Sequence, residues 1–414
     1  MQPDESKKPV VVREPDAPKG ARPVLRGGWG RKALSLPSST SCFTRRRLLG
    51  AAAAAALTAC APGRAPLSPG RLRLIGEATL AHRLQFRNTT VGGLSALDFD
   101  PATGLWFALC DDRSDLAPAR FYTLRLNLTA QRLGVPELVD VVTLRQENGL
   151  PYPSRRQGGD VADPEGLRWL PRTGTLLWSS EGDAKLGLDP FVREVTADGR
   201  HVRELSLPEH LHMRAAPGLG PRDNLTLEGL AITPDGRTAW AAMEAALQQD
   251  GPVPGVGQPG GPCRFTQLDL ATGRAMRERA YMPDAIPLAP RVPGGFADNG
   301  VSEILMIDAH RMLVLERAYA AGAGNSLRLY EVDTRDGSDT LDAPQLAPGS
   351  FRPMAKRRVA DFAQLGLSRL DNTEGMCWGP VLGNGSRSLV FVSDDNFNPL
   401  QVTQFVAFEY TENA

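Results

Sequence analysis

Carboxylates recur along this chain at the two ends of a repeated strand–turn–strand phrase. The phrase begins at positions 95, 165, 228, 303 and 374, at intervals of 63 to 75 residues. An acidic or small polar residue opens its first apolar strand, a Pro, Gly or Asp turn follows, and the second apolar strand ends on acidic residues. Such a repeat is typical of one supersecondary unit copied several times, with its acidic residues at equivalent points.

The two strands of each phrase run antiparallel, so the start of the first and the end of the second meet at one face of the fold. We therefore expect both sets of side chains at one mouth of a central channel. The strand starts contribute Ser95, Glu165, Glu228, Glu303 and Glu374. The strand ends contribute Asp111, Asp112, Glu181, Asp183, Glu244, Glu316, Asp394 and Asp395.

So many carboxylates around one channel repel each other unless cations compensate them. Oxygen ligands in this number, with no His/Cys cluster beside them, favour Ca²⁺ over zinc or copper. The predicted metal ligands are Asp111, Glu165, Glu181, Glu228, Glu244, Glu303, Glu316, Glu374 and Asp394. The alternative is that the Glu-Gly pairs, present at the start of three copies, serve packing between neighbouring copies of the unit. The Glu carboxylate would then accept backbone N–H bonds from the next copy, and the strand-end acids would be solvated.

Basic residues follow some of these acids directly. Arg113 and Arg317 lie after the strand-end acids of the first and fourth copies, and Lys185 lies beyond those of the second. Guanidinium groups there either bind an anionic group such as phosphate or form ordinary salt bridges. The predicted catalytic residues are Glu165, Glu228, Glu374, Arg113 and Arg317. The sequence has no Gly-x-Ser-x-Gly motif, Walker loop or dinucleotide fingerprint, and its five histidines form no metal or triad pattern.

The segments between the phrases predict an all-β fold. Each phrase is followed by two further strand-like runs, except the last, which has one. The segment from Arg71 precedes the first phrase and supplies a strand that completes the final unit. We therefore predict a β-propeller of five four-stranded blades, with six left open if a degenerate blade hides in a long loop.

Composition narrows the choice of partners. The formal net charge is zero, so the chain has no overall basic field that would attract nucleic acid. We expect a monomer that binds a small anionic substrate. Beyond residue 60 only Cys110, Cys263 and Cys377 remain, with no disulfide or zinc spacing, and we expect buried thiols.

The N-terminal part of the chain indicates export. Residues 1–42 are polar and Pro-rich, residues 43–60 combine three arginines with a short apolar run, and residues 61–70 form a linker to a domain at 71–414. The Arg pair followed by Leu-Leu resembles a twin-arginine signal, and Leu-Thr-Ala-Cys, ending at Cys60, resembles a bacterial lipobox. We expect a periplasmic or cell-envelope protein that meets the membrane only through a lipid on Cys60.

The phrases Asp163-Pro-Glu-Gly-Leu, Leu227-Glu-Gly-Leu and Asn372-Thr-Glu-Gly-Met resemble the "esterase-like activity of phytase" family of exported bacterial propeller proteins. That resemblance implies phosphoester or carboxylester hydrolysis, and the related alkaline phytases are calcium-dependent propellers. It extends to Glu165, Glu228 and Glu374 as motif glutamates, whereas Glu303 lacks the following Gly and the first copy has no Glu.

Two functions remain open at this point. The first is an exported Ca²⁺-dependent phosphoesterase acting on a small anionic phosphoester at the acidic mouth. The second is a non-catalytic cell-envelope lipoprotein that binds a ligand or a protein there, because a propeller fold alone does not define a function. Because the first copy lacks the opening Glu and the fourth lacks the following Gly, we expect any active centre to lie towards blades two, three and five.

Overall fold

The structure is a computed structural model that describes residues 71–214 and 216–412. The predicted N-terminal segment, export signal, Cys60 lipidation site and linker lie outside the described residues. Within them the chain is built of β-strands, with two 3₁₀ turns at Glu209–Leu211 and Phe362–Gln364. No helix in this part of the chain has the length and apolar character to cross a membrane.

The first strands include the closing strand and the first two blades. A long strand and a two-residue hairpin come first: β1 (Arg71–Thr79), β2 (Gln85–Phe86) and β3 (Thr89–Thr90). Blade one is β4 (Leu94–Asp100), β5 (Leu105–Cys110), β6 (Arg120–Arg125) and β7 (Glu137–Thr143). Blade two is β8 (Pro164–Leu170), β9 (Thr175–Ser180), β10 (Phe191–Thr196) and β11 (His201–Leu205).

The remaining strands form blades three to five. Blade three is β12 (Leu227–Ile232), β13 (Thr238–Met243), β14 (Cys263–Asp269) and β15 (Ala275–Tyr281). Blade four is β16 (Ala297–Met306), β17 (Arg311–Ala320), β18 (Gly324–Asp333) and β19 (Lys356–Asp361). Blade five contains β20 (Asn372–Val381), β21 (Arg387–Asp394) and β22 (Gln404–Thr411).

The last blade is completed from the other end of the chain. Strand β1 pairs antiparallel with β22, which gives the sheet order β1-β22-β21-β20. The inner strands β4, β8, β12, β16 and β20 contact one another in turn, and β20 contacts β4. The predicted five-bladed propeller, closed by an N-terminal strand, is confirmed.

Side-chain alternation along the strands builds the core between blades. Residues 71–214 and 216–412 contain five buried apolar clusters, and each draws its residues from two adjacent blades. Because successive strand residues face opposite sides, one sheet serves two of these clusters. Cys110, Cys263 and Cys377 are buried free thiols, as expected. The five interfaces hold the inner strands in register, and those strands carry the site.

Candidate functional site

Every inner strand carries an irregularity near its first residues. The pairing register shifts between Leu94 and Ala96, Pro164 and Leu167, Leu227 and Gly229, Val301 and Glu303, and Thr373 and Gly375. The residues at these β-bulges include Ser95, Glu165, Glu228, Ser302 and Glu374. A bulge re-aims a side chain locally. The three glutamates of this set line the same cavity.

The Gly of the Glu-Gly motif has a separate task. A Cβ on Gly229 would lie 3.0 Å from the backbone N of Ile304, and a Cβ on Gly375 would lie 3.0 Å from the carbonyl carbon of Ala96. Each contact reaches the inner strand of the next blade. The motif therefore combines a side chain turned into the mouth with a close approach of two backbones.

In blade four the residue at the bulge is Ser302. Glu303 therefore does not line the mouth cavity, contrary to the prediction. One residue of offset turns a side chain to the other face of the strand. Glu303 is 1% exposed, accepts a hydrogen bond from the backbone N of Leu230 at 2.9 Å and pairs with Arg168 at 2.6 Å. Glu303 therefore links neighbouring blades, which is the packing role given above as the alternative.

The same offset moves Glu316 away from the mouth. Glu316 lies opposite Val301 in the sheet, and Arg317 follows it. Its carboxylate accepts from the Tyr281 hydroxyl of blade three at 2.7 Å and from the Lys356 ammonium of blade four at 2.6 Å, in a buried network between these two blades. Arg317 thus occupies the strand-end position that Asp111, Glu181, Glu244 and Asp394 occupy in the other blades.

The side chains that do converge surround a cavity of about 600 Å³ at the mouth. Its polar lining comes from all five blades and their loops. The carboxylates are Asp111, Asp163, Glu165, Glu228, Glu244, Asp298, Glu374 and Asp394. The other polar groups are Arg113, Asn224, Asn299, Arg317, Asn372 and Asn396. Eight carboxylates against two guanidinium groups leave a strongly negative site when all are ionised.

Two groups of three carboxylates within this region have the geometry of cation sites. Asp163, Glu165 and Glu181 form one, and Glu181, Glu228 and Glu244 form the other; within each, one oxygen per residue lies within 4.8 Å of the others. Glu181 belongs to both; it is buried and is not itself one of the residues that line the cavity. One of its oxygens also accepts from the Thr226 backbone N at 2.6 Å, which fixes its orientation. The all-oxygen donor set fits Ca²⁺ or Mg²⁺ better than zinc.

Burial and mutual repulsion raise the pKa of these acids. Burial raises the pKa of Asp163 to about 7 and that of Glu244 to about 8, although Arg113 and Arg317 respectively oppose the change. Burial and then the charge of Glu228 raise the pKa of Glu165 well above its usual range. Ionising the set at neutral pH is thus costly unless a cation binds among these oxygens.

The two arginines of the cavity pair with different carboxylates. Arg317 lies 3.3 Å from Glu244 and 3.7 Å from Glu374. Burial lowers its pKa, but Glu374 and Glu244 raise it by more, so the guanidinium stays charged. Arg113 donates from Nε to Asp163 at 2.6 Å and also contacts Asn224. The two predicted cations therefore enter the cavity, as ion-pair partners of its acids.

Sequence reasoning missed six polar residues of the cavity, which are Asp163, Asn224, Asp298, Asn299, Asn372 and Asn396. Asp163 belongs to the first carboxylate group, and its place two residues before Glu165 was a usable signal. Asn372 holds the same position before Glu374, and its amide donates to Glu374 at 2.8 Å and to Asp394 at 3.0 Å. Asp298 comes from the extended start of β16, which no periodic signal marked.

Arg168, also missed, closes the channel between the inner strands. It lies on β8, is 2% exposed, and its guanidinium donates to the carbonyls of Leu97 at 2.9 Å and of Ile304 and Met376 at 3.1 Å. With its pairing to Glu303, this side chain joins strands from blades one, two, four and five. Arg168 does not line the mouth cavity but a separate pocket, which the opposite ends of the inner strands form.

The other strand-end acids organise loops. Asp112 accepts from the backbone N of Asp115 and from Arg120, both within 2.8 Å. Asp183 pairs with Arg155 at 2.7 Å. The Asp395 carboxylate accepts from the backbone N of Gly93 at 3.0 Å.

Three further polar side chains also lie outside the cavity lining. Lys185 makes an exposed pair with Asp223 at 3.1 Å. His210 contacts Glu278 at 2.9 Å, and His212 lies 3.6 Å from Asp189.

The fold and site together define a five-bladed propeller with an acidic pocket at one mouth of its channel. Residues 89–397 match the family model described as "Phytase-like: Esterase-like activity of phytase". The match covers most of the chain, which therefore belongs to this family. No curated protein matches the sequence.

Two solved structures that resemble this chain share little sequence with it. A GH62 α-L-arabinofuranosidase catalytic domain from Coprinopsis cinerea is 11% identical, with 82% of this chain and 97% of that chain covered and a TM-score of 0.42. The periplasmic gluconolactonase of Pseudomonas aeruginosa is 16% identical, with 78% and 86% covered and a TM-score of 0.33. At these scores neither match carries an argument about this chain.

Proposed function

We propose that this protein is a Ca²⁺-dependent phosphoesterase that acts on a small anionic phosphoester at the acidic mouth. The observation that carries the proposal is the two clusters of three carboxylates that share Glu181. Arg113 and Arg317 line the cavity next to them. Anionic oxygens in excess attract a cation, and a cation next to guanidinium groups attracts an anionic substrate. The family description, which names esterase-like activity, is consistent with it.

The residues fit a divalent calcium ion. Carboxylates from blades two and three supply several buried oxygens, while Glu374 and Asp394 supply more across the cavity. When bound, the ion would polarise a phosphoryl group and acidify a water molecule. The chain's own task is to hold the carboxyl groups of Asp163, Glu165, Glu228 and Glu244 close together and oriented, so that a bound cation favours their ionised form.

The arginines would bind the substrate's anionic group. Arg317 replaces a carboxylate at the blade-four strand end, so its guanidinium offsets the Asp298 carboxylate that the same blade adds to the cavity. Its charge is held between Glu244 and Glu374 and stays available to a phosphoryl oxygen entering from the cavity. Arg113 would play the same part from blade one, and both would stabilise the charge that builds up during displacement.

Glu374 is the best placed proton-transfer group of the predicted catalytic set. Burial raises its pKa, while Arg317 and the Asn372 amide oppose the change. A carboxyl group whose pKa is moved toward neutrality can accept a proton from an attacking water or donate one to a leaving alcohol. Its position beside Arg317 would align such a group with the bound phosphate.

We also propose that the protein works outside the cytoplasm. The basic and apolar run before Cys60 supports export, and the Leu-Thr-Ala-Cys sequence supports a lipid anchor. Extracytoplasmic fluids contain calcium at levels that weak oxygen sites can use. Labelling with a fatty-acid analogue in a bacterial host, compared with a Cys60→Ala variant, tests the anchor.

Activity is tested with the purified mature domain and a chromogenic phosphomonoester. The proposal predicts hydrolysis that stops in excess chelator and returns with added Ca²⁺, and a Glu228→Gln variant with at least a hundredfold lower rate. If no ester is hydrolysed with any divalent ion while the protein still binds calcium, the protein is the non-catalytic envelope propeller instead.

A further inference from the structure

One wall of the mouth cavity is apolar and projects above the carboxylates. Phe296 is 65% exposed and Val253 is 42% exposed, and both line the cavity together with Pro254. Large apolar side chains left in solvent at the edge of a polar pocket often mark a contact with a ligand.

The length of blade four explains why Phe296 projects. Strands β16 and β17 have ten residues each, against six or seven in the first two strands of blades one to three. The extra residues pair Ala297 with Ala320, and the backbone N of Ala321 donates to the Phe296 carbonyl at 2.9 Å. The Phe296 and Tyr319 rings lie 6.3 Å apart at the end of this extension.

The facing loop is held in place by backbone bonds. The Gly261 N donates to the Pro252 carbonyl at 2.8 Å, and the Ile286 N donates to the Gly255 carbonyl at 3.0 Å. Val253 and Pro254 are therefore part of a tied loop rather than a free one, and the apolar wall is preformed.

Phe296, directly before β16, and Arg317, the proposed anion-binding cation on β17, belong to the same hairpin. Arg317 and Tyr319 are two residues apart on β17, so their side chains leave the same face of the strand. An anionic group at Arg317 would leave its organic substituent beside the aromatic end of the extension. A highly charged polyanion would gain nothing from Phe296 and would meet the carboxylate of Asp298 on this side.

We infer that Phe296, with Val253 and Pro254, forms a subsite for the apolar part of the substrate, and that the preferred substrates are monoesters of an aryl or other apolar alcohol. This inference rests on the proposed function. It narrows the substrate class from any small phosphoester to one with an apolar group next to its anionic head.

Phosphonates test the subsite without depending on turnover. Isothermal titration of the Ca²⁺-loaded protein at pH 8 compares phenylphosphonate with methylphosphonate. We expect phenylphosphonate to bind about tenfold tighter, since burying most of one ring face is worth roughly that factor. Phe296→Ala should reduce the ratio to about threefold or less, because that wall is lost.

A matched control distinguishes the loss of the apolar wall from a general effect of removing an exposed apolar side chain. Val381 is 71% exposed and does not line the mouth cavity, so Val381→Ala should keep the tenfold ratio. Equal affinity for the two probes, or an unchanged ratio in Phe296→Ala, overturns the subsite and leaves the proposed function standing. If neither phosphonate binds, the anion site and the subsite are both refuted.

Discussion

Replacing Arg168 with Met should destabilise the propeller strongly, because this one side chain joins four inner strands. The change leaves Glu303 buried without its partner 2.6 Å away and removes donors from the carbonyls of Leu97, Ile304 and Met376. Removing one member of a buried ion pair costs about 3–5 kcal/mol. Protonation of Glu303 partly relieves this cost, so we expect about 4 kcal/mol at pH 8.

Thermal unfolding in chelator converts this cost into a temperature. At about 2 cal/mol/K per residue, a domain of about 340 residues loses about 6 °C for 4 kcal/mol. Arg172 is exposed on the same blade and makes one 3.3 Å bond to the Asp235 carbonyl, so Arg172→Met is the control and should shift the midpoint by less than 1 °C.

The pH dependence of the Arg168→Met loss has a definite sign. Burial raises the pKa of Glu303 to about 7 from an ordinary value of 4.5, against the lowering effect of Arg168. The folded state therefore binds more protons than the unfolded state between these values, and this contribution is lost as pH rises through 7. Without Arg168 the folded pKa rises further, so the loss in melting temperature should be larger at pH 8 than at pH 5.

A second substitution tests whether the pair is the cause. Arg168→Met combined with Glu303→Met replaces two buried charges with apolar groups of similar size, which is often neutral or stabilising. The double variant should recover at least half of the lost midpoint at pH 8. The reasoning is refuted if Arg168→Met melts within 1 °C of the unaltered protein, or if the double variant is less stable than the single one.

Three further predictions concern the mouth and the blade contacts. In chelator, the melting temperature should fall as pH rises from 6 to 9. The raised pKa values of Asp163 and Glu244, about 7 and about 8, make the folded state bind more protons than the unfolded state. Added Ca²⁺ should reverse this pH dependence of the melting temperature. Gly229→Ala should cost about 1–3 kcal/mol in urea unfolding, since its Cβ would meet Ile304, whereas Gly383→Ala, with open space around the Cβ, should cost nothing measurable. Glu374→Gln should lower kcat for a chromogenic phosphomonoester by at least tenfold while Ca²⁺ affinity changes less, and an equal loss of both would mean that Glu374 serves only the cation.

The fold was predictable because the periodic phrase and the turn residues agree with each other in every blade. The closing strand was also predictable, since the last phrase has one following strand too few and Arg71–Thr79 supplies it. Both features follow from local sequence patterns, which can be recognised without knowledge of the tertiary contacts.

The strand-start carboxylates of the site were predictable only where the Glu-Gly pair is intact. In blade four the Gly is missing, and the sequence Ser302-Glu303 offers two residues for one bulge; only the pairing of Val301 with Glu316 shows that the serine occupies it. Arg168 could not be found from the sequence, because a single Arg between Leu and Trp has no repeat, and its partners come from three other blades.

Calcium titration of metal-free protein tests the central claim most directly. We predict saturable Ca²⁺ binding with a rise in melting temperature, and a loss of at least tenfold in affinity in Glu181→Gln, since Glu181 belongs to both carboxylate groups. Glu209 is exposed, with 84% of its side chain accessible, and lies outside the cavity lining, so Glu209→Gln should bind as the unaltered protein does. No binding, or equal affinity in Glu181→Gln, would contradict the assignment of the acidic mouth as a calcium site.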